Sequence, residues 1–132
     1  MINLSISEQM SGQLLPYSEG TRAILTVHFL SDTNEWIPIN IMFDSGSDVT
    51  VLPYEFAIKL RWYGPQIPLL AREVVGSVAM LKTDVMVALM GKVVRVPMIT
   101  SAFILDPLLG MSDINSNFII TLAPQGFSII PT

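Results

Sequence analysis

The sequence predicts an all-β domain with one or two short helices, and three observations carry that expectation. Short apolar runs recur along the chain, several alternating with polar residues, and clusters of glycine, proline, asparagine and aspartate divide them as hairpin turns do. Only the stretch after Pro53 has the proline start, early acid and late lysine of a helix. The chain has 132 residues, the size of one domain around one core, so the strands must bury their apolar faces on one another.

Residues 1–20 are polar, carry Gly12, Pro16 and Gly20, and read as an arm ordered only by docking; residues 21–132 read as a single domain. From Thr21 to Leu30, Ala23, Leu25, Val27 and Phe29 alternate with Arg22, Ile24, Thr26 and His28, which predicts a strand packed on one face, with His28 on the other. Ser31 to Glu35 is a turn by composition, and Trp36 to Phe43 is the returning strand, with Pro38 removing one ladder donor at an edge or bulge. Tyr54 to Leu60 is a short helix or helical turn, closed by Trp62-Tyr63-Gly64-Pro65. Those two aromatics fit packing beside a helix end better than the lining of a pocket.

Gln66 to Ser101 reads as a meander of hairpins with turns at Gly76-Ser77 and Gly91-Lys92. Within it Thr83, Val85, Val87 and Leu89 form the core side, and Lys82, Asp84, Met86, Ala88 and Met90 the other. An apolar run, Ala102 to Leu105, leads to Asp106-Pro107 and then Leu108-Leu109-Gly110. The polar stretch Met111 to Asn117 is compatible with a second helix. Phe118 to Leu122, a turn at Ala123 to Gly126, and Phe127 to Ile130 make a closing hairpin apolar enough to invite pairing with another chain.

Composition narrows the chemistry. With no cysteine and a single histidine the chain has no disulfide, no thiolate nucleophile and no means of building a histidine-based triad or a zinc site, so no metal or cofactor is expected. A net charge of −4 with seven scattered basic residues leaves no footprint for nucleic acid. Charged residues interrupt every apolar stretch well short of the roughly 20 residues that a membrane span needs, and the start lacks the pattern of a secretory signal, which points to a cytoplasmic location. Hydrophobic residues make up 51% and charged ones 14%, more apolar surface than one protomer of this size readily hides, and association would cover the excess.

The stretch around which the rest is organised is Ile41-Met42-Phe43-Asp44-Ser45-Gly46-Ser47-Asp48-Val49-Thr50-Val51-Leu52-Pro53. An apolar strand delivers a carboxylate into a glycine turn, and a β-branched strand leaves it, a setting that holds an acid rigidly and partly out of water. Read with Leu108-Leu109-Gly110, this run resembles the retroviral-type aspartic proteases, the retropepsins and their cellular and bacterial relatives. Their pattern is an apolar pair, Asp, Thr or Ser, Gly, a small residue, often another Asp, then Thr-Val-Leu. Asp-Ser-Gly alone would be an ordinary turn; the extended context is what makes the likeness specific.

The resemblance implies a closed, barrel-like fold and a twofold homodimer, because only one Asp-Ser-Gly is present and the chemistry needs two carboxylates. It makes Asp44 the catalytic acid, with Ser45 bracing the two turns and Gly46 allowing close approach. Ser47, Asp48, Val75, Gly76, Ser77 and Leu109 would bind an extended peptide substrate, with Gly76 at the tip of a closing flap. A Ser47 hydroxyl bonded to the ionised carboxylate would favour an acidic optimum. The family often has arginine after the Leu-Leu-Gly glycine, where Met111 stands here, and Arg22 is one candidate for the cation that braces Asp48. A silent dimerisation or peptide-binding module of the same fold is the alternative.

Overall fold

A computed structural model of the chain describes residues 12–18, 22–62, 79–101 and 106–132. Its first strand, β1 (Ile24–Leu30), buries every second residue as the alternation requires, and Leu25, Val27 and Phe29 enter the core. A compact turn reverses the chain. The Ser31 hydroxyl accepts from the amides of Thr33 (3.3 Å) and Glu35 (3.0 Å), and Asn34 takes the left-handed conformation at φ 61°, which asparagine tolerates better than most residues. β2 (Trp36–Phe43) then pairs antiparallel with β1 along its whole length. Pro38 faces His28 inside that pairing.

After the Asp44 turn come β3 (Thr50–Pro53) and the helix α1 (Tyr54–Lys59), which starts directly after Pro53 and carries Glu55 in its first turn and Lys59 in its last. Its end is closed by amide bonds from Arg61 to the Ile58 carbonyl (3.0 Å) and from Trp62 to the Ala57 carbonyl (2.9 Å), with Arg61 left-handed at φ 58°. That is the glycine position of a helix C-cap, occupied here by arginine. Trp62 is buried and meets Phe29 edge-on, at 6.4 Å between ring centres, so it packs; Tyr63 lies outside the described residues.

β4 (Ala79–Leu89) and β5 (Lys92–Ser101) form a long hairpin with a register shift between Lys82 and Val85. Its turn is Met90-Gly91, one residue earlier than Gly91-Lys92, because both residues there have positive φ (51° and 79°) as a two-residue turn matched to strand twist requires. Val85, Val87 and Leu89 are core, as their alternation predicts; near the turn Ala88 and Met90 are buried too. β5 returns along β4 and, on its other side, runs parallel to β3, a pairing that a meander of hairpins does not contain.

β6 (Leu108–Leu109) is only two residues long, yet it pairs parallel with β2 and antiparallel with β3. With it the order β1-β2-β6-β3-β5-β4 closes into a barrel through the pairing of β1 with β4. Residues 111–117 form successive turns in place of the second helix, with Asp113 left-handed at φ 62° interrupting any helical run. β7 (Phe118–Ala123) and β8 (Gly126–Pro131) make a separate ribbon that buries Phe118, Phe127 and Ile129 and exposes Ile119 and Ile130. The arm docks on it: Leu15 and Phe127 exchange amide bonds at 2.8 and 2.9 Å, and the Tyr17 hydroxyl donates to the Ala123 carbonyl at 2.7 Å. No helix among the described residues is long and apolar enough to cross a membrane.

One cap is open to test. Arg61→Gly removes the left-handed strain and is expected to stabilise the fold by about 0.5–1 kcal/mol, net of the greater freedom of glycine in the unfolded chain. Urea titration reads this directly, and an unchanged or lower midpoint would show that the arginine side chain contributes more than its backbone strain costs.

Candidate active site

Asp44 is the first residue beyond β2, and backbone bonds alone determine where it sits. Its amide donates to the Leu109 carbonyl at 3.0 Å, and the preceding amide, of Phe43, donates to the Ala23 carbonyl at 2.8 Å. The carboxylate curls over its own turn, where Oδ1 accepts from the Gly46 amide at 2.9 Å. The Asp44 carbonyl accepts from the Ser47 amide at 3.2 Å and completes the turn. A Cβ on Gly46 would stand 3.3 Å from Asp44 Oδ1, so glycine keeps the carboxylate uncrowded.

The Leu-Leu-Gly segment clamps this turn from below. The Ser47 and Asp48 carbonyls accept from the amides of Met111 and Ser112, both at 2.8 Å, and the Gly110 amide donates to the buried Thr50 hydroxyl at 3.2 Å. Gly110 lies against the Val49 backbone so closely that a Cβ would come within 2.4 Å of the Val49 carbonyl carbon. Leu109 itself is completely buried. It therefore braces the turn through its backbone and fills the core; the expected place in a substrate-binding surface is corrected.

Beside Asp44 opens a cavity of about 450 Å³. Met42, Phe43, Asp44 and Ser45 form one side, Ala23 and Arg22 another, and Tyr17 with Leu122, Ala123 and Pro124 the far wall. The described residues thus bring Asp44, Ser45 and Gly46 to one exposed turn at the mouth of a cleft. Asp48 is on the same turn and exposed. Arg22 lines the cavity, but no side-chain partner for it appears among the described residues, so it does not brace Asp48 within one protomer. Met111 packs against the core. Val75, Gly76 and Ser77, the expected flap, lie outside the described residues.

Ser47 departs from expectation. Its hydroxyl donates to the Val49 carbonyl at 2.8 Å, not to the Asp44 carboxylate, because the turn folds it onto its own chain two residues on. The far wall was missed in the sequence because the arm and the β7–β8 turn come from opposite ends of the chain. The one usable signal was Tyr17, the sole aromatic of the arm.

The architecture is that of the retropepsin-like proteins. A retropepsin-like aspartic protease from Rickettsia conorii superposes with a TM-score of 0.61 at 16% identity, covering 89% of this chain and 88% of that one. EIAV protease, solved with the inhibitor HBY-793, gives 0.53 at 24% identity over 73% of this chain and 88% of its own. The retroviral protease-like domain of Ddi1 from Leishmania major gives 0.50 at 14% identity, covering 83% and 95%. No protein-family model matches the sequence, and no curated protein matches it either. The retropepsin-like fold is therefore established by structure.

Two substitutions test this geometry. Gly110→Ala drives a methyl into the Val49 backbone, which cannot yield as a side chain would, and should cost about 3 kcal/mol or more of stability, seen as a large fall in Tm. Ser47→Ala removes one local hydrogen bond and is expected to cost about 1 kcal/mol while leaving any pH–rate profile in place. A profile that moves toward neutrality would instead put the hydroxyl on the carboxylate.

Proposed function

We propose that the chain is an aspartic endopeptidase that completes its active site as a homodimer. The observation that carries this reading is the Asp44 turn: an acid whose backbone is held by bonds to Leu109 of β6 and, through Phe43, to Ala23, at the edge of a cleft, in the fold of the retropepsin-like proteases. Peptide hydrolysis without a metal or a nucleophilic side chain needs one group to take a proton from water and another to give one to the substrate. Two carboxylates sharing one proton do both, and aspartic proteases are themselves the type case of such a coupled pair.

In this mechanism Asp44 of one protomer, ionised, accepts a proton from water as its oxygen attacks the scissile carbonyl. Asp44 of the partner, protonated, hydrogen-bonds the carbonyl oxygen that gains charge. Collapse of the tetrahedral intermediate breaks the C–N bond, and the amine leaves with a proton returned by the dyad. Ser45 steadies the two turns across the axis, Gly46 allows the substrate backbone close, and Asp48 receives a substrate amide. The peptide binds extended. A second reading, a silent dimerisation or peptide-binding module, draws on the likeness to the Ddi1 domain.

The test is peptide cleavage by wild type and by Asp44→Asn from acidic to neutral pH. Loss of about 10²–10⁴-fold in kcat/KM is expected, the range of a general acid–base group. Equal activity in both proteins, or a wild type that stays monomeric where it is active, would end the reading. Because the dyad is shared, adding excess Asp44→Asn to wild type should also suppress activity as mixed dimers form.

A further inference from the structure

The arm and the β7–β8 ribbon share an unusual composition: residues 12–18 and 117–132 contain no Asp, Glu, Lys or Arg. Burial of Phe118, Phe127 and Ile129 holds the ribbon on the core, but apolar burial is non-directional and does not fix the angle at which a two-stranded sheet lies. Hydrogen bonds supply direction, and at one end of the ribbon they come from the barrel. Lys92, the first residue of β5, reaches across from the β4–β5 turn, and its Nζ donates to the Asn117 carbonyl at 3.4 Å and to the Thr132 carbonyl at 3.3 Å. The same ammonium lies 5.9 Å from the centre of the Phe118 ring, within cation–π range. The Thr132 amide in turn donates to the Asn117 carbonyl at 3.0 Å, so the two oxygens belong to one closed end of the ribbon, where β7 begins and β8 finishes.

The opposite end of the ribbon faces the candidate site. Its turn supplies Leu122, Ala123 and Pro124 to the far wall of the cleft, where the Tyr17 hydroxyl holds the Ala123 carbonyl at 2.7 Å. Between the two ends run the 6 residues of β7, roughly 20 Å at about 3.3 Å per residue. Asp44 is held separately, through Phe43 and Leu109, so the gap between acid and wall depends on how the ribbon lies on the barrel. We propose, on the reading that the chain is an endopeptidase, that Lys92 is a positioning residue for substrate. By clamping the end of the ribbon remote from the cleft, it sets the distance of the wall at residues 122–124 from Asp44. An ammonium suits the task because it has three donors and serves two carbonyls and a ring face together, with no carboxylate in the ribbon to draw it elsewhere.

The experiment compares wild type, Lys92→Met and Lys92→Arg by amide hydrogen exchange, by binding of labelled peptides and by peptide cleavage. Methionine keeps an apolar stem of similar length and removes the donors and the charge; arginine keeps both. In Lys92→Met, exchange should quicken about tenfold over residues 118–131 and at Leu15, as the loss of a charged hydrogen bond allows, while β1 and β2 exchange as in wild type. KM should rise about tenfold with kcat nearly unchanged, since the wall meets substrate and not the reacting atoms, and Lys92→Arg should restore most of both. A purely structural lysine would instead quicken exchange in barrel and ribbon together and lower kcat with the folded fraction. That result, or exchange unchanged throughout, overturns the proposal. Cleavage with KM unchanged in Lys92→Met also overturns it and leaves the endopeptidase reading intact. If wild type binds peptides more tightly than Lys92→Met yet cleaves none, the positioning role stands and the endopeptidase falls; a wild type that neither binds nor cleaves overturns both.

Discussion

The insertion of Leu108-Leu109-Gly110 between β2 and β3 is the constraint on which the rest of the structure depends. These are the strands that enter and leave the Asp44 turn, and without a third element between them they would be joined only by the turn. β6 pairs with both, parallel to one and antiparallel to the other. The Leu109 carbonyl then receives the Asp44 amide, and the Gly110 amide finds the Thr50 hydroxyl inside the core. Barrel closure and carboxylate placement are thus one event, since the segment that completes the strand ring also sets the position of the acid. Gly110 is needed for contact at backbone distance, where any side chain would part the two segments.

This explains how an exposed turn can be well positioned. A carboxylate held by side-chain packing could drift with every rotamer change around it, whereas here the backbone before Asp44 is bonded to Ala23, Asp44 itself to Leu109 of β6, and the backbone after it, through Ser47, to Met111. The side chain is restrained by a single local bond to Gly46 and stays at the surface. A rigid backbone with an accessible functional atom is the arrangement that chemistry requires of a preorganised group. One such turn presents one carboxylate.

Much of this was legible in the residues, and the divide has a physical basis. β1 and β2 were readable because alternation reports burial face by face, and Ser31 to Glu35 because turn residues act locally. The helix after Pro53 was readable from its proline and flanking charges. Asp44 and its glycine were readable because a compact acid turn between apolar strands is rare in pattern. The parallel pairing of β3 with β5 was not, because no local periodicity encodes a partner far away in sequence. Nor was the role of Leu109: a two-residue strand has no period, and a residue that works through its carbonyl gives no sign in its side chain. The Ser47 hydroxyl could be assigned the wrong acceptor for the same reason, since composition supplies a donor but not its direction.

The scarcity of charge gives the cleft its electrostatic character. Charged residues are only 14% of the chain, and among the described residues lining the cleft the charged groups are Arg22 and Asp44. The wall opposite is contributed by the arm and the β7–β8 turn, themselves joined through Tyr17 and Ala123, with the Leu15 carbonyl passing so close to Gly126 that only glycine fits. Parts from both ends of the chain therefore shape the space around the acid, while β2 and β6 fix the acid itself. The two tasks fall to different physical means: backbone hydrogen bonds hold the acid's turn, and side chains on a docked arm and ribbon line the space beside it. Substitutions in that wall can reshape the cleft without disturbing the turn, because among the described residues no bond that positions Asp44 passes through it.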